Sequence, residues 1–467
     1  MKSSSVLYLK LRTHKDWRWD SEFLCNEPFH NKKLTYKPIG DTLTLSQYGI
    51  SIDMNEDGNG TRIYRMNEIS DMFCDREINK YAKVTPVQVS RFKLKDNDVL
   101  FNRTNSLDFV GRTGIYKKFS DENIVFASYL IRVRTNESEV LPEYLTAFLN
   151  TRYGIQDVKR RARISINQSN INAKELKRVE IPILSKEIQE IIRNLFDLSF
   201  NLVNKSESLY REAERILLSE LCLLDWEPRH RLSFIKNFSD AQSARRIDAE
   251  YFQPIYEEII RSVKSSKQFA YLGDIVSIKK CIEPGSEAYK DSGIPFVRVS
   301  NLSKFGFNND NQQFLSESLY EILKTHQPKT SEILLSKDAT PGIAFYLKDK
   351  PEKMIPSGGI LRLTVKDNDK IFPEYLTLVL NSVIVQKQIE RDSGGSIINH
   401  WLVNQVRNTL IPILPFSVQR QISEKIEHSF SCRKQSKHFL YIAKRGVEIA
   451  IEKDEQTAIK WISEQKE

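Results

Sequence analysis

Disulfides, metal clusters and membrane spans are all poorly provided for in this sequence. Its five cysteines, Cys25, Cys74, Cys222, Cys281 and Cys432, are odd in number and widely scattered, which argues for free thiols in a reducing compartment. The seven histidines are equally dispersed; His428, Cys432 and His438 have no fourth ligand at zinc-site spacing, so no metal site is expected. No apolar run approaches the roughly 18 residues that span a bilayer. Charges interrupt the one apolar patch of the opening MKSSSVLYLKLRTHKDW, which makes a poor signal peptide. A cytoplasmic protein with no membrane partner is the expectation. Catalytic signatures are missing too. There is no Gly-rich phosphate loop ending in Gly-Lys-Ser/Thr, Gly58-Asn59-Gly60 lacks dinucleotide spacing, and no Asn-Pro-Pro-aromatic or Asp-Pro-Pro-aromatic tetrapeptide is present to hold a flipped adenine. No catalytic residue is expected.

What is present is an ordinary globular composition, 40% hydrophobic and 28% charged over 467 residues, long enough for two to four domains. The net charge of +9 is compatible with a polyanionic partner without requiring one. The most organised stretch runs from Ser185 to Leu224, with Ile188, Leu195, Leu202, Leu209 and Ile216 recurring every seventh residue and no Gly or Pro between them. One helix of that length would extend about 60 Å at 1.5 Å per residue, and it needs a second long helix to bury its stripe.

The second helix follows Ile411-Pro412-Ile413-Leu414 as the first follows Ile181-Pro182-Ile183-Leu184. Ile422, Ile426 and Phe430 begin its apolar stripe, and Gly446 interrupts it at a cost of about 1 kcal/mol relative to Ala. Four further echoes keep the same order. Arg18-Trp19-Asp20-Ser21-Glu22-Phe23 returns as Arg246-Ile247-Asp248-Ala249-Glu250-Tyr251, and the strand around Arg65 returns around Arg298. Asp98-Val99-Leu100-Phe101 returns as Glu332-Ile333-Leu334-Leu335, and LPEYLTAFLNT returns as FPEYLTLVLNS. The chain reads as two copies of one mixed α/β unit, each followed by a long helix. The expected boundaries are a first unit over 1–184, a helix over 185–225, a linker over 226–245, a second unit over 246–415, a helix over 416–455 and a tail over 456–467.

With the duplication established, the chain resembles the DNA specificity subunit of type I restriction-modification systems. The residues that carry the resemblance are DVLFNRTNSLDFVGRTG (98–114), the two Ile-Pro-Ile-Leu exits before long helices, the Arg-x-Asp-x-Glu-aromatic openings and the strand ending Arg298-Val299-Ser300-Asn301. The resemblance implies two target-recognition domains joined by antiparallel coiled-coil helices, reading a bipartite site on double-stranded DNA without catalysis. It also implies that Ile188, Leu195, Leu202, Leu209, Ile216, Ile422, Ile426 and Phe430 lie on helices that dock two adenine methyltransferase subunits. Restriction (motor-nuclease) subunits would join that core, and S-adenosylmethionine, ATP and Mg²⁺ would belong to those partners.

Candidate DNA contacts fall in five places. Asn102, Arg103, Thr104 and Asn105 follow a strand and present several donors together, with Arg112 in the same loop. Arg160, Arg161 and Arg163, followed by Asn167 and Gln168, combine phosphate-binding cations with base-reading amides. Arg65 and Asn67 sit at one strand end, and Arg298, Ser300 and Asn301 at its echo. Lys337, Ser396, Asn399 and His400 are the second-copy counterparts of the loop groups. Two other readings stand beside this one. Asp157, Glu175 and Lys177 could form a stand-alone Mg²⁺-dependent nuclease, and a duplicated scaffold could bind proteins only.

Overall fold

The computed structural model describes residues 21–165, 168–266, 268–309, 311–393 and 400–466. The chain divides into two compact units, one of residues 1–203 with 434–467 and the other of residues 204–433. Both contain strands and helices, so the mixed α/β class read from the repeat is the class observed. Among the described residues no helix is long and apolar enough to cross a membrane.

In the first unit, strands β1 (Leu43–Tyr48), β2 (Val99–Asn102), β3 (Thr104–Asn105), β4 (Thr113–Ile115) and β5 (Leu130–Thr135) precede helix α1 (Pro142–Leu149). The main sheet runs β1-β5-β2-β4 and is antiparallel throughout this part. Its strands are apolar on both faces because each face has its own core. Val99 and Phe101 enter one cluster with Ile131, while Leu100 between them enters another with Tyr64 and Phe126, as the two-residue period of a strand requires. A second, three-stranded sheet joins β6 (Arg163–Ser165), β7 (Gln168–Asn170) and β3. Helix α2 (Lys186–Glu220) begins in this unit and ends in the other.

The second unit repeats the plan. Strands β8 (Val276–Lys280), β9 (Glu332–Ser336), β10 (Ala344–Tyr346) and β11 (Ile360–Val365) form an antiparallel sheet in the order β8-β11-β9-β10, followed by helix α3 (Pro373–Asn381). Ile333 and Leu335 enter one core, and Leu334 enters the other. Helix α4 (Phe416–Glu452) begins here and ends in the first unit, where α5 (Glu455–Lys466) follows as a separate helix.

The duplication extends to individual hydrogen bonds. Tyr144 donates to the Pro182 carbonyl at 2.6 Å and Tyr375 to that of Pro412 at 2.8 Å. Gln189, fully buried, accepts from Leu141 N at 2.8 Å and donates to the carbonyls of Glu139 and Leu184, both at 2.9 Å. Gln419 accepts from Phe372 N at 3.1 Å and donates to Lys370 and Leu414 at 3.1 and 2.9 Å. A buried carboxylate faces a buried arginine across each main sheet, Asp98 with Arg132 and Glu332 with Arg362. These glutamines and arginines fix the start of each long helix and the middle of each sheet by satisfying groups that burial would otherwise leave unpaired.

Where α2 and α4 meet, the seam differs from the heptad column expected from sequence. Ile188 and Leu195 are buried, but Leu202, Leu209 and Ile216 are only half-buried. The fully buried column is Ile192, Ser199, Ser206 and Ala213. Ser199 Oγ lies 2.7 Å from Ser436 Oγ in the first unit, and Ser206 Oγ lies 2.9 Å from Ser429 Oγ in the second. Within the second unit Glu212 also meets Lys425, so going up one helix goes down the other and the pairing there is antiparallel. Small hydroxylated residues occupy the seam because each pair satisfies its own polar groups, which a search for large apolar residues passes over. Gly446 likewise has a use: a Cβ there would lie 2.6 Å from Ile462 Cδ1, so the glycine gives α5 its seat on α4.

Candidate nucleic-acid interface

The edge of the first unit assembles from two stretches that are some 60 residues apart in sequence. The β6-β7 hairpin pairs with β3, placing Asn170 opposite Thr104 and Ser169 opposite Asn105. Asn170 Nδ2 donates to Thr104 Oγ1 at 2.7 Å. Arg163, Ile164 and Gln168 on the hairpin are exposed. Arg103 donates to the Ser128 carbonyl at 3.0 Å and lies 4.9 Å over the Tyr48 ring; Arg112 donates to the Ile69 carbonyl at 3.2 Å and lies 4.6 Å over Phe109. Arg65 is held by Glu68 at 2.7 Å, and Asn67 beside it is exposed. Asn167 lies outside the described residues.

Four candidates of this unit are internal, the buried Thr104 of that pairing being one. Asn102 has no exposure, and its amide reaches the carbonyls of Met66 and Phe109, both at 3.4 Å, and Thr104 N at 3.3 Å. It shapes the turn that presents Arg103 to Asn105. Arg160 and Arg161 are buried over Phe23 and hold the Asp157 carboxylate at 2.5 and 3.0 Å. In the run Lys159 to Arg163 the helix ends at Arg161, so the arginines before that point turn inward and Arg163 emerges on the hairpin.

In the second unit the corresponding edge is chemically different. The backbones of Asp338 and His400 form an antiparallel bridge, and His400 Nδ1 lies 2.8 Å from Asp338 Oδ1. Lys337 Nζ contacts the other oxygen of the same carboxylate. Burial pushes the Asp338 carboxyl up, but its hydrogen bonds to Lys337 and His400 outweigh this and hold it below the usual carboxylate range. A cavity of about 520 Å³ opens beside them, lined also by Lys280, Cys281 and Trp401. Burial pushes the Cys281 thiol up to about 12, so it is uncharged there. Arg298 donates to the Asn311 carbonyl; Asn301 is buried and accepts from Arg298 N at 3.2 Å, whereas Ser300 is exposed. Asn301 therefore joins the internal residues, and Ser396 and Asn399 lie outside the described residues.

Comparison with known proteins gives matches over parts of the chain. Residues 264–435 match the family model described as the type I restriction modification DNA specificity domain. That segment, most of the second unit, is similar to the DNA specificity domain of type I restriction-modification systems. It is 32% identical over 177 residues to the EcoKI specificity subunit of Escherichia coli K12, covering 37% of each chain. Over 405 residues it is 23% identical to a Methanocaldococcus jannaschii protein named as the type I restriction enzyme MjaX specificity subunit, covering 84% of this chain and 85% of that one. Among solved structures it aligns with a type I S subunit from M. genitalium (13% identity, 90% of this chain and 96% of that, TM-score 0.39) and with HsdS from Thermoanaerobacter tengcongensis (12% identity, 91% and 98%, TM-score 0.29). The match thus spans little more than a third of the length of the E. coli relative.

Two of the three residues of the nuclease reading, Asp157 and Glu175, have another use. Asp157 is clamped by Arg160 and Arg161 and also accepts from Glu180 N at 3.3 Å. Glu175 is 3.3 Å from Arg178 and 3.7 Å from Arg161. Guanidiniums thus pair with both carboxylates, and among the described residues no group of three or more His, Cys, Asp or Glu could hold a metal ion. The helix residues expected to dock partners are also largely spoken for. Ile188, Leu195, Ile422 and Ile426 are buried in the chain's own cores, and Phe430 packs against Phe305 and Phe345. Leu202, Leu209 and Ile216 keep partial exposure.

Proposed function

We propose that this chain is the non-catalytic DNA-recognition subunit of a type I restriction-modification complex, each unit reading one half of a bipartite duplex site. The observation that carries the reading is the duplication of one fold with different chemistry at the same edge: arginine, asparagine and glutamine in one unit, lysine, aspartate and histidine in the other. Duplicated frames with divergent edges are what two different half-sites would select, since phosphate contacts position a protein and edge-specific side chains discriminate. On this reading Arg103, Asn105, Arg112, Arg163 and Gln168, with Arg65 and Asn67 beside them, serve the first half-site. Arg298, Ser300, Lys337 and His400 serve the second, and Thr104 supports the first edge from within.

The continuous helices α2 and α4 would fix the gap between half-sites, and their half-exposed residues would dock methyltransferase subunits, with restriction subunits added to that core. S-adenosylmethionine, ATP and Mg²⁺ would be bound by those partners. The test is single-molecule mapping of adenine methylation in the host genome with the gene intact and deleted. Loss on deletion of one motif, made of two short blocks with a fixed gap, is the expected result. Survival of every motif would overturn the proposal and favour a protein-only scaffold.

A further inference from the structure

The two edges share one feature at matching positions of the repeat. In the first unit the backbone pairing of Thr104 with Asn170 brings a hydroxyl and an amide together at 2.7 Å. In the second, the bridge of Asp338 with His400 brings a carboxylate and an imidazole together at 2.8 Å. In each case the residue two positions past the main-sheet strand is the less exposed and the residue across from it reaches further out. Thr104 is buried and Asn170 half-buried; the Asp338 side chain is 24% exposed and that of His400 60%. One partner holds and the other presents.

Resting on the DNA-recognition reading above, we propose that Asn170 and His400 are the specificity-determining residues of their half-sites, and that Thr104 and Asp338 are their positioning residues. The chemistry differs in a definite way. With one amide hydrogen given to Thr104, Asn170 keeps its carbonyl and its second N–H, the donor-acceptor set that matches N6 and N7 of adenine. The Asp338 carboxylate only accepts, so it fixes the proton of His400 on Nδ1 and leaves Nε2 facing outward. A single ring nitrogen makes one directed contact to a base edge, so the second half-site is read differently from the first. Lys337, bound to the same carboxylate, and Lys280 across the cavity supply cationic surroundings suited to the nearby phosphates.

The experiment is methylation mapping in host cells carrying the full-length gene as wild type, His400→Gln, His400→Ala, Asn170→Ala, Asp338→Asn or Asp338→Ala. The His400 variants are expected to relax one or two positions of one block while leaving the other block and the gap unchanged. Asn170→Ala should relax the opposite block. Asp338→Asn, which still accepts from Nδ1, should keep the wild-type motif, and Asp338→Ala should relax the His400 block. With purified wild-type complex and duplexes mismatched at those positions, discrimination of about 5- to 150-fold is expected, falling towards unity in the His400 variants. Unchanged motifs in both His400 variants would overturn the inference, as would changes in both blocks or loss of all methylation by variants that melt like wild type. If wild-type cells showed no bipartite motif dependent on this gene, the functional reading itself would fail, and this assignment with it.

Discussion

Leucine at a buried position of a helix-helix seam ordinarily strengthens it, and Ser206 offers a place where the opposite should hold. Its side chain has no exposure, its Oγ lies 2.9 Å from Ser429 Oγ, and Ser429 also donates to the Ser206 carbonyl at 2.8 Å. Ser206→Leu adds bulk to a fully buried seat, which costs about 1–3 kcal/mol. It also breaks the hydroxyl pair, worth about 0.5–1.5 kcal/mol. The net expectation is a loss of about 2–4 kcal/mol, read as a lower urea midpoint at unchanged slope. The double variant Ser206→Ala with Ser429→Ala removes both polar partners without adding volume and should stay within about 1 kcal/mol of wild type. If Ser206→Leu were as stable as wild type or more so, the helices would not approach closely at this point. The seam would then be the conventional leucine column that the sequence spacing suggests.

Other consequences can be checked with single variants. Arg362→Met strands the buried Glu332 carboxylate, which it now meets at 2.7 and 2.9 Å, and should cost about 3–5 kcal/mol in denaturant unfolding; adding Glu332→Leu should restore much of that. Gln419→Ala leaves the Phe372 N–H and two carbonyls unpaired and should lower the melting temperature, by about 1–3 kcal/mol in stability. Burial pushes the Asp75 carboxyl up to about 6, Asp71 and Glu68 adding to the rise against the Ser70 hydrogen bond and Arg112. A raised carboxyl contributes stability that is complete below about pH 4 and lost as pH rises to about 6, by at most about 3 kcal/mol. Asp75→Asn should therefore flatten the stability profile between those values.

The repeat was legible because it is written in rare combinations: Pro-Glu-Tyr-Leu-Thr at the start of α1 and α3, and Ile-Pro-Ile-Leu before α2 and α4. Each marks a place where proline, a buried tyrosine and a buried glutamine act together, so few substitutions leave it recognisable. The interface was legible only in part. Periodicity and charge cannot tell that Arg160 and Arg161 turn inward over Phe23 while Arg163, two residues on, emerges on a hairpin; that depends on where the helix stops. Nor could local sequence bring Asn170 to Thr104, or His400 to Asp338, because those pairings cross more than 60 residues of intervening chain. Asn102 and Asn301 misled for a related reason. An asparagine after a strand serves turn geometry as readily as recognition, and only burial separates the two. The Asn170 side of the first pair had a signal in the run Ser165 to Asn170, while the Asp338 side had none beyond its place in the repeat.

The bonds around the two buried glutamines are addressed almost wholly to main-chain atoms: Gln189 to Leu141, Glu139 and Leu184, and Gln419 to Phe372, Lys370 and Leu414. Tyrosine does the same, toward Pro182 and Pro412. Any polypeptide that reaches the seam in the right conformation offers those atoms, whatever its side chains. The join between each sheet and its long helix is therefore indifferent to the side chains elsewhere in the unit. A different segment placed upstream of Pro142 or Pro373 would find its socket already made.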